Sequence, residues 1–175
     1  MKEYWKTIFI HIPRTSGTAL KWALNNKISD LEYLRAQCHK TATERMGLIA
    51  TEQWKECYKF TIIRNPWERA VSWYCRHNTS LSFPEWLLQV NVGQSHYFTD
   101  NNVVIVDDIF QYETLDDHLE ELCNKANWPH IKRLPSINAT THEPYQTYYN
   151  LETQEHVARQ CAFEIDRFQY QFQDN

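Results

Sequence analysis

The chain has 175 residues, of which 42% are hydrophobic and 23% charged. These are ordinary globular values that exclude a disordered or fibrous protein, and the length suits a single domain over residues 1–175 with a core of its own. A formal net charge of −4 excludes a protein-wide attraction to nucleic acid or an anionic membrane, so an anionic ligand has to be met by a local cluster of donors.

In chain order, Thr7 to Ile12 is a β-branched and aromatic run closed by Pro13, which predicts a short buried strand. A turn over Thr15, Ser16, Gly17 and Thr18 leads into ALKWALNN, where Ala19, Trp22 and Ala23 fall at helical spacing. Residues Thr43 to Tyr58 read as helix in two pieces around Gly47, and Tyr58 to Ile63 as a second buried strand. Pro66 suits the first turn of the next helix, which places Trp67, Ala70, Val71 and Tyr74 on one side. Ser82 with Glu85 forms a capping-box pattern, and Val103 to Val106 is the candidate for a third strand. Glu113 to Lys125 predicts a helix with Leu115, Leu119 and Leu122 inward. Trp128 to Asn150 reads as an irregular surface loop and Glu152 to Ile165 as a final helix. Strands alternating with helices imply an α/β domain with a mainly parallel central sheet flanked by helices.

The five cysteines, Cys38, Cys57, Cys75, Cys123 and Cys161, form no CxxC pair, which leaves reduced thiols as the expectation rather than a zinc or redox site. No apolar run approaches the roughly 20 residues of a membrane span, and the opening MKEYWKTIFIHIPRT lacks the features of a secretory signal. A soluble cytoplasmic protein is the expectation.

Two segments carry chemistry. In HIPRTSGT, His11 to Thr18, a strand passes through a tight turn into a helix. Such a junction offers unpaired N–H groups and the positive end of a helix to an anion. Gly17 permits close backbone approach; Thr15, Ser16 and Thr18 add hydroxyls, and Arg14 a planar cation. The Walker A pattern GxxxxGK[ST] is absent. In IIRNPWERAVSWY, Arg64 leaves the second strand and Ser72 lies about two turns into the following helix, so both can converge on one anion, whereas Arg69 reads as an ion-pair or packing residue.

Taken together, HIPRTSGT and TIIRNPWERAVSWY resemble the sulfotransferase superfamily, in particular its carbohydrate-type, heparan and chondroitin sulfotransferase branch. The resemblance continues through IFQYETLDDHLEEL, LPSINAT and YYNLETQEHVARQCAFEIDRFQY, in the family's order. It implies a P-loop-like fold and a minimal soluble member that uses 3′-phosphoadenosine 5′-phosphosulfate without a metal. Arg14, Thr15, Ser16, Gly17 and Thr18 would hold the 5′-phosphosulfate, and Arg64 and Ser72 the 3′-phosphate. His39 stands where relatives place a general base for the acceptor hydroxyl, with His96 and then His11 as the next candidates. Arg14 would also hold the bridging oxygen as 3′-phosphoadenosine 5′-phosphate leaves.

Where the family's loop reads PKTGGT or PKTGST, Arg14 and Ser16 here replace the lysine and the first glycine. The resemblance favours a carbohydrate hydroxyl as acceptor, with Tyr145, Tyr148 and Tyr149 as its rim; a small alcohol, a lipid headgroup and a peptidyl tyrosine stay open. Two rival readings also stay open: a catalytically silent nucleotide-binding or scaffold protein of the same fold, and a nucleotide-dependent kinase.

Overall fold

A computed structural model describes residues 6–24, 39–77, 79–137 and 142–173. In chain order these form β1 (Thr7–Ile10), α1 (Gly17–Leu24), α2 (Ala42–Met46), α3 (Thr51–Glu56), β2 (Tyr58–Ile63), α4 (Pro66–Tyr74) and α5 (Phe83–Leu87). They continue with β3 (Thr99–Asp100), β4 (Val103–Val104), β5 (Asp108–Gln111), α6 (Leu115–Lys125), α7 (Leu151–Gln160) and α8 (Ala162–Phe168). The chain packs as two compact units, one of Met1–Ile63 with His96–Asn138 and one of Arg64–Ser95 with Ala139–Asn175.

The first unit is mixed α/β, with a three-stranded parallel sheet flanked by helices in the order β1-β2-β5. Every side chain of β1 is buried, as are all but the first of β2, the pattern of parallel strands covered on both faces. Phe9 lies opposite Phe60 in the register, and their rings stack at 4.9 Å. Phe110 and Trp128 meet Phe60 edge-on at 6.0 and 5.6 Å. Leu115, Leu119 and Leu122 of α6 close this core as their spacing predicts, together with Leu20 and Leu24 of α1. The Thr61 hydroxyl donates to Ile10 O across the sheet at 2.8 Å.

The sheet's third strand corrects the sequence expectation. Val103–Val104 forms only a two-residue strand, paired antiparallel with β3. The parallel partner of β2 is instead Asp108–Gln111. Two aspartates precede its apolar residues, and they hide the strand from a hydrophobicity count. Asp107 Oδ2 accepts the Lys59 N–H at 2.7 Å and pairs with Lys59 Nζ at 2.9 Å. Asp108 accepts from Tyr58 Oη at 2.7 Å and pairs with Lys125 at 2.9 Å. Both carboxylates thus serve the edge of the sheet. The first strand is also shorter than its apolar run, since pairing stops at Ile10.

α2 opens with the Thr41/Glu44 capping box: the Glu44 N–H donates to Thr41 Oγ1, and the Thr41 N–H donates back to the Glu44 carboxylate at 2.7 Å. A break at Gly47 separates α2 from α3, as the sequence predicts.

In the second unit, Asn65 Oδ1 accepts from the N–H groups of Trp67 and Glu68, and Pro66 occupies the first turn of α4. The Ser82/Glu85 pattern likewise starts α5, with Glu85 accepting the Ser82 N–H at 2.9 Å. The final helix is two: Cys161 interrupts it between α7 and α8. The Cys161 thiol is fully buried and reaches Val92 O at 3.5 Å. Burial, with the Glu164 carboxylate adding to it, pushes this thiol up to about 12.

Arg69 is buried as well, donating to Val92 O and lying over the Trp73 ring at 5.4 Å, which is the packing role its sequence implies. Tyr148 and Tyr149 both pack edge-on against Phe83, and Tyr149 Oη donates to Trp67 O at 2.9 Å. Tyr145 meets Phe172 at 5.4 Å. The three tyrosines are half-buried within this aromatic packing.

Among the described residues, Cys75 and Cys161 are free thiols, Cys57 and Cys123 are buried, and no helix is long and apolar enough to cross a membrane. Cys38 and the Asn138–Thr140 part of LPSINAT lie outside the described residues.

Candidate functional site

The junction between β1 and α1 belongs to the first unit. Arg14 and Ser16 take positive φ of 69° and 63°, whereas Thr15 and Gly17 take negative φ. The backbone therefore alternates in hand over four successive residues. Where backbone alternates between right- and left-handed, consecutive N–H groups can turn toward one side and receive an anion. Left-handed backbone costs a non-glycine residue roughly 1–2 kcal/mol, so two such residues here mark a conformation the surrounding structure imposes. The Leu20 N–H donates to Ser16 O at 3.0 Å and closes the first turn of α1.

The five loop residues divide by environment. Thr15 is fully buried and its hydroxyl donates to Ile12 O at 2.9 Å, bracing the loop from within. Arg14 and Ser16 are half-buried, and Thr18 is exposed on the first turn of α1. Gly17 is buried beneath a side chain: an added Cβ would stand 2.0 Å from His11 Cδ2. The glycine is thus required by an imidazole of the protein itself.

That imidazole, 6% exposed, stacks on Phe9 at 5.4 Å and faces the His39 ring at 4.6 Å. Lys21 Nζ lies 3.2 Å from His11 Nδ1. An ammonium can only donate, so Nδ1 accepts and the ring proton sits on Nε2. Burial first, then the charges of Lys21 and His39, push His11 down to about 2, and the ring is neutral throughout the physiological range.

His39 is exposed and takes a φ of 66°. Its Nδ1 stands 3.2 Å from the His11 carbonyl. A carbonyl only accepts, so Nδ1 donates, and in the neutral ring Nε2 keeps its lone pair. Burial is the larger influence and holds His39 below the usual imidazole value, against the raising effect of that hydrogen bond. In its neutral form His39 therefore has a fixed tautomer. His96 is exposed, its ring tilted against that of Tyr97 at 4.2 Å.

Arg64 and Ser72 belong to the second unit. The Arg64 guanidinium is mostly buried and pairs with Glu68 at 2.6 Å. Ser72, 2% exposed, lies on the buried side of α4. The Arg64–Glu68 pair is legible as an i,i+4 spacing; the role of Lys21 is not, because it stands in no local pattern with His11. Among the described residues no group of three or more His, Cys, Asp or Glu side chains is placed to hold a metal ion.

Compared with protein-family models, curated proteins and solved structures, the chain matches none.

Proposed function

We propose that the protein is a P-loop-like sulfotransferase that moves a sulfuryl group from 3′-phosphoadenosine 5′-phosphosulfate to an acceptor hydroxyl, with a carbohydrate as the favoured acceptor. The observation that carries this reading is the alternating backbone of Arg14, Thr15, Ser16 and Gly17 at a strand-to-helix junction. Ser16 stands where the resembled loop has glycine, and its φ of 63° is one that glycine adopts freely.

The sulfonucleotide supplies the sulfuryl group and a leaving phosphate. In this reading the N–H groups of the loop and the Ser16 and Thr18 hydroxyls receive the 5′-phosphosulfate, and Arg14 neutralises the leaving oxygen. Thr15 contributes through its backbone, its hydroxyl being engaged with Ile12 O. Arg64 and Ser72 receive the 3′-phosphate. His39 Nε2 takes the proton of the acceptor hydroxyl, while the His11 carbonyl holds Nδ1 and so keeps the accepting nitrogen in place.

The test is a calorimetric titration with 3′-phosphoadenosine 5′-phosphate and with adenosine 5′-phosphate, on the wild type and Arg64→Ala, followed by turnover with labelled sulfonucleotide over a panel of sugar, alcohol and tyrosyl acceptors. Binding that needs both the 3′-phosphate and Arg64, and turnover that falls about 100- to 10,000-fold in His39→Ala with affinity kept, are expected. No binding by the wild type refutes the assignment. Unchanged turnover in His39→Ala removes the base.

A further inference from the structure

One side-chain amide holds both backbone groups of Arg64. The Arg64 N–H donates to Gln94 Oε1 at 3.0 Å, and the Arg64 carbonyl accepts from Gln94 Nε2 at 2.8 Å. Gln94 is fully buried. An amide that meets a donor and an acceptor of the same residue fixes that residue's orientation, since a flip would oppose donor to donor and acceptor to acceptor.

Gln94 is itself anchored. Its own N–H and that of Ser95 both donate to Glu164 Oε1, the latter at 2.6 Å. The Glu164 side chain has no exposure to solvent, and its second oxygen, Oε2, has no hydrogen-bond partner. Burying a carboxylate that is only half satisfied is costly, and an apolar side chain of similar size would fill the space without that cost. Here its charge-assisted bonds fix the backbone of Gln94 and Ser95. A connected path thus runs from α8 through Gln94 to the residue that follows β2, and the Glu68 carboxylate orients the guanidinium at its far end.

We propose that Gln94, backed by Glu164, is the positioning residue that presents Arg64 to the 3′-phosphate and so sets the preference for a 3′-phosphorylated nucleotide. The inference rests on the sulfonucleotide reading above. Neither residue touches the ligand in this account; both act through Arg64.

The experiment compares the affinities for 3′-phosphoadenosine 5′-phosphate and adenosine 5′-phosphate in four proteins: wild type, Gln94→Met, Arg64→Ala and the double variant. Methionine keeps the length of glutamine and removes both polar partners. The wild-type preference for the 3′-phosphate should fall about tenfold in Gln94→Met, with adenosine 5′-phosphate affinity unchanged and no added effect in the Arg64→Ala background. A merely structural role weakens both nucleotides alike, and that result overturns the proposal. If the wild type shows no preference, the sulfonucleotide reading fails and this role falls with it. If the wild type shows it and Gln94→Met keeps it, the positioning role alone is refuted. Should circular dichroism find Gln94→Met unfolded, Glu164→Gln keeps an oxygen for the two N–H groups and withdraws the charge. Its preference should drop a few-fold, and an unchanged preference there refutes the proposal.

Discussion

Replacing Gly17 by alanine tests whether the protein's own imidazole, rather than a ligand, demands the glycine. The added Cβ would stand 2.0, 2.1 and 2.7 Å from three atoms of the His11 ring, against 3.4 Å for ordinary contact, so the ring has to withdraw by about 1.4 Å. It has little room to do so, because Phe9 stacks against it at 5.4 Å, His39 faces it at 4.6 Å and Lys21 holds Nδ1 at 3.2 Å. Overpacking of this kind costs typically 1–3 kcal/mol. Gly17 has negative φ and begins α1, so alanine returns up to about 1 kcal/mol through helix propensity. The net expectation is a loss of about 1–2 kcal/mol, or roughly 2–8 °C in Tm for a chain of this length. Thermal unfolding followed by circular dichroism measures it, with the same substitution made in a His11→Ala background as the control. Without the ring, Gly17→Ala should become neutral or slightly stabilising. A Gly17→Ala protein as stable as wild type, or one whose loss persists undiminished without His11, would refute the packing argument.

Stability should depend on pH through His11. Its folded value is depressed to about 2 from an unfolded value near 6.5, so the contribution is fully present above about 6.5 and is lost as pH falls below it, when the unfolded chain takes up a proton that the fold refuses. Denaturant titrations from pH 7.5 to 5 should show a slope of up to about 1.4 kcal/mol per pH unit below 6.5, flattened in His11→Gln; equal slopes in the two proteins would contradict it. Thr15→Val removes the buried bond to Ile12 O and should cost about 1 kcal/mol of stability with nucleotide affinity almost unchanged, whereas a large affinity loss at full stability would place the hydroxyl on the ligand. The acid limb of kcat/KM should lie below the ordinary imidazole range, in the direction that burial shifts His39; a limb above that range speaks against His39 as the base.

The apolar runs TIFI and YKFTII announce the two best-covered strands because both of their faces are buried, and Leu115, Leu119 and Leu122 announce α6 because helical spacing puts them on one side. DIFQ is hidden in the sequence because half of its residues are polar; its place depends on a register that only the folded sheet supplies. The turn between β1 and α1 is legible as a strand-to-helix junction with one glycine. The reason for that glycine is not, since it lies in a ring six residues earlier that the turn folds back over the loop. Gln94 and Glu164 were beyond the sequence for a similar reason: they join positions 30 and 70 residues apart, and no local pattern encodes such pairs. Arg64 and Ser72 could be named, but not the degree to which each is covered.

The break between α7 and α8 offers an optical handle on motion. A thiol pushed up to about 12 presents only about one thiolate in ten thousand at pH 8, and Cys161 lies wholly out of reach of solvent besides. An alkylating or disulfide reagent therefore meets Cys161 only when the surrounding helices part. Its modification rate, read residue by residue beside that of the half-buried Cys75, counts openings of the second unit directly, so the protein carries its own clock for the breathing of the segment that holds Arg64.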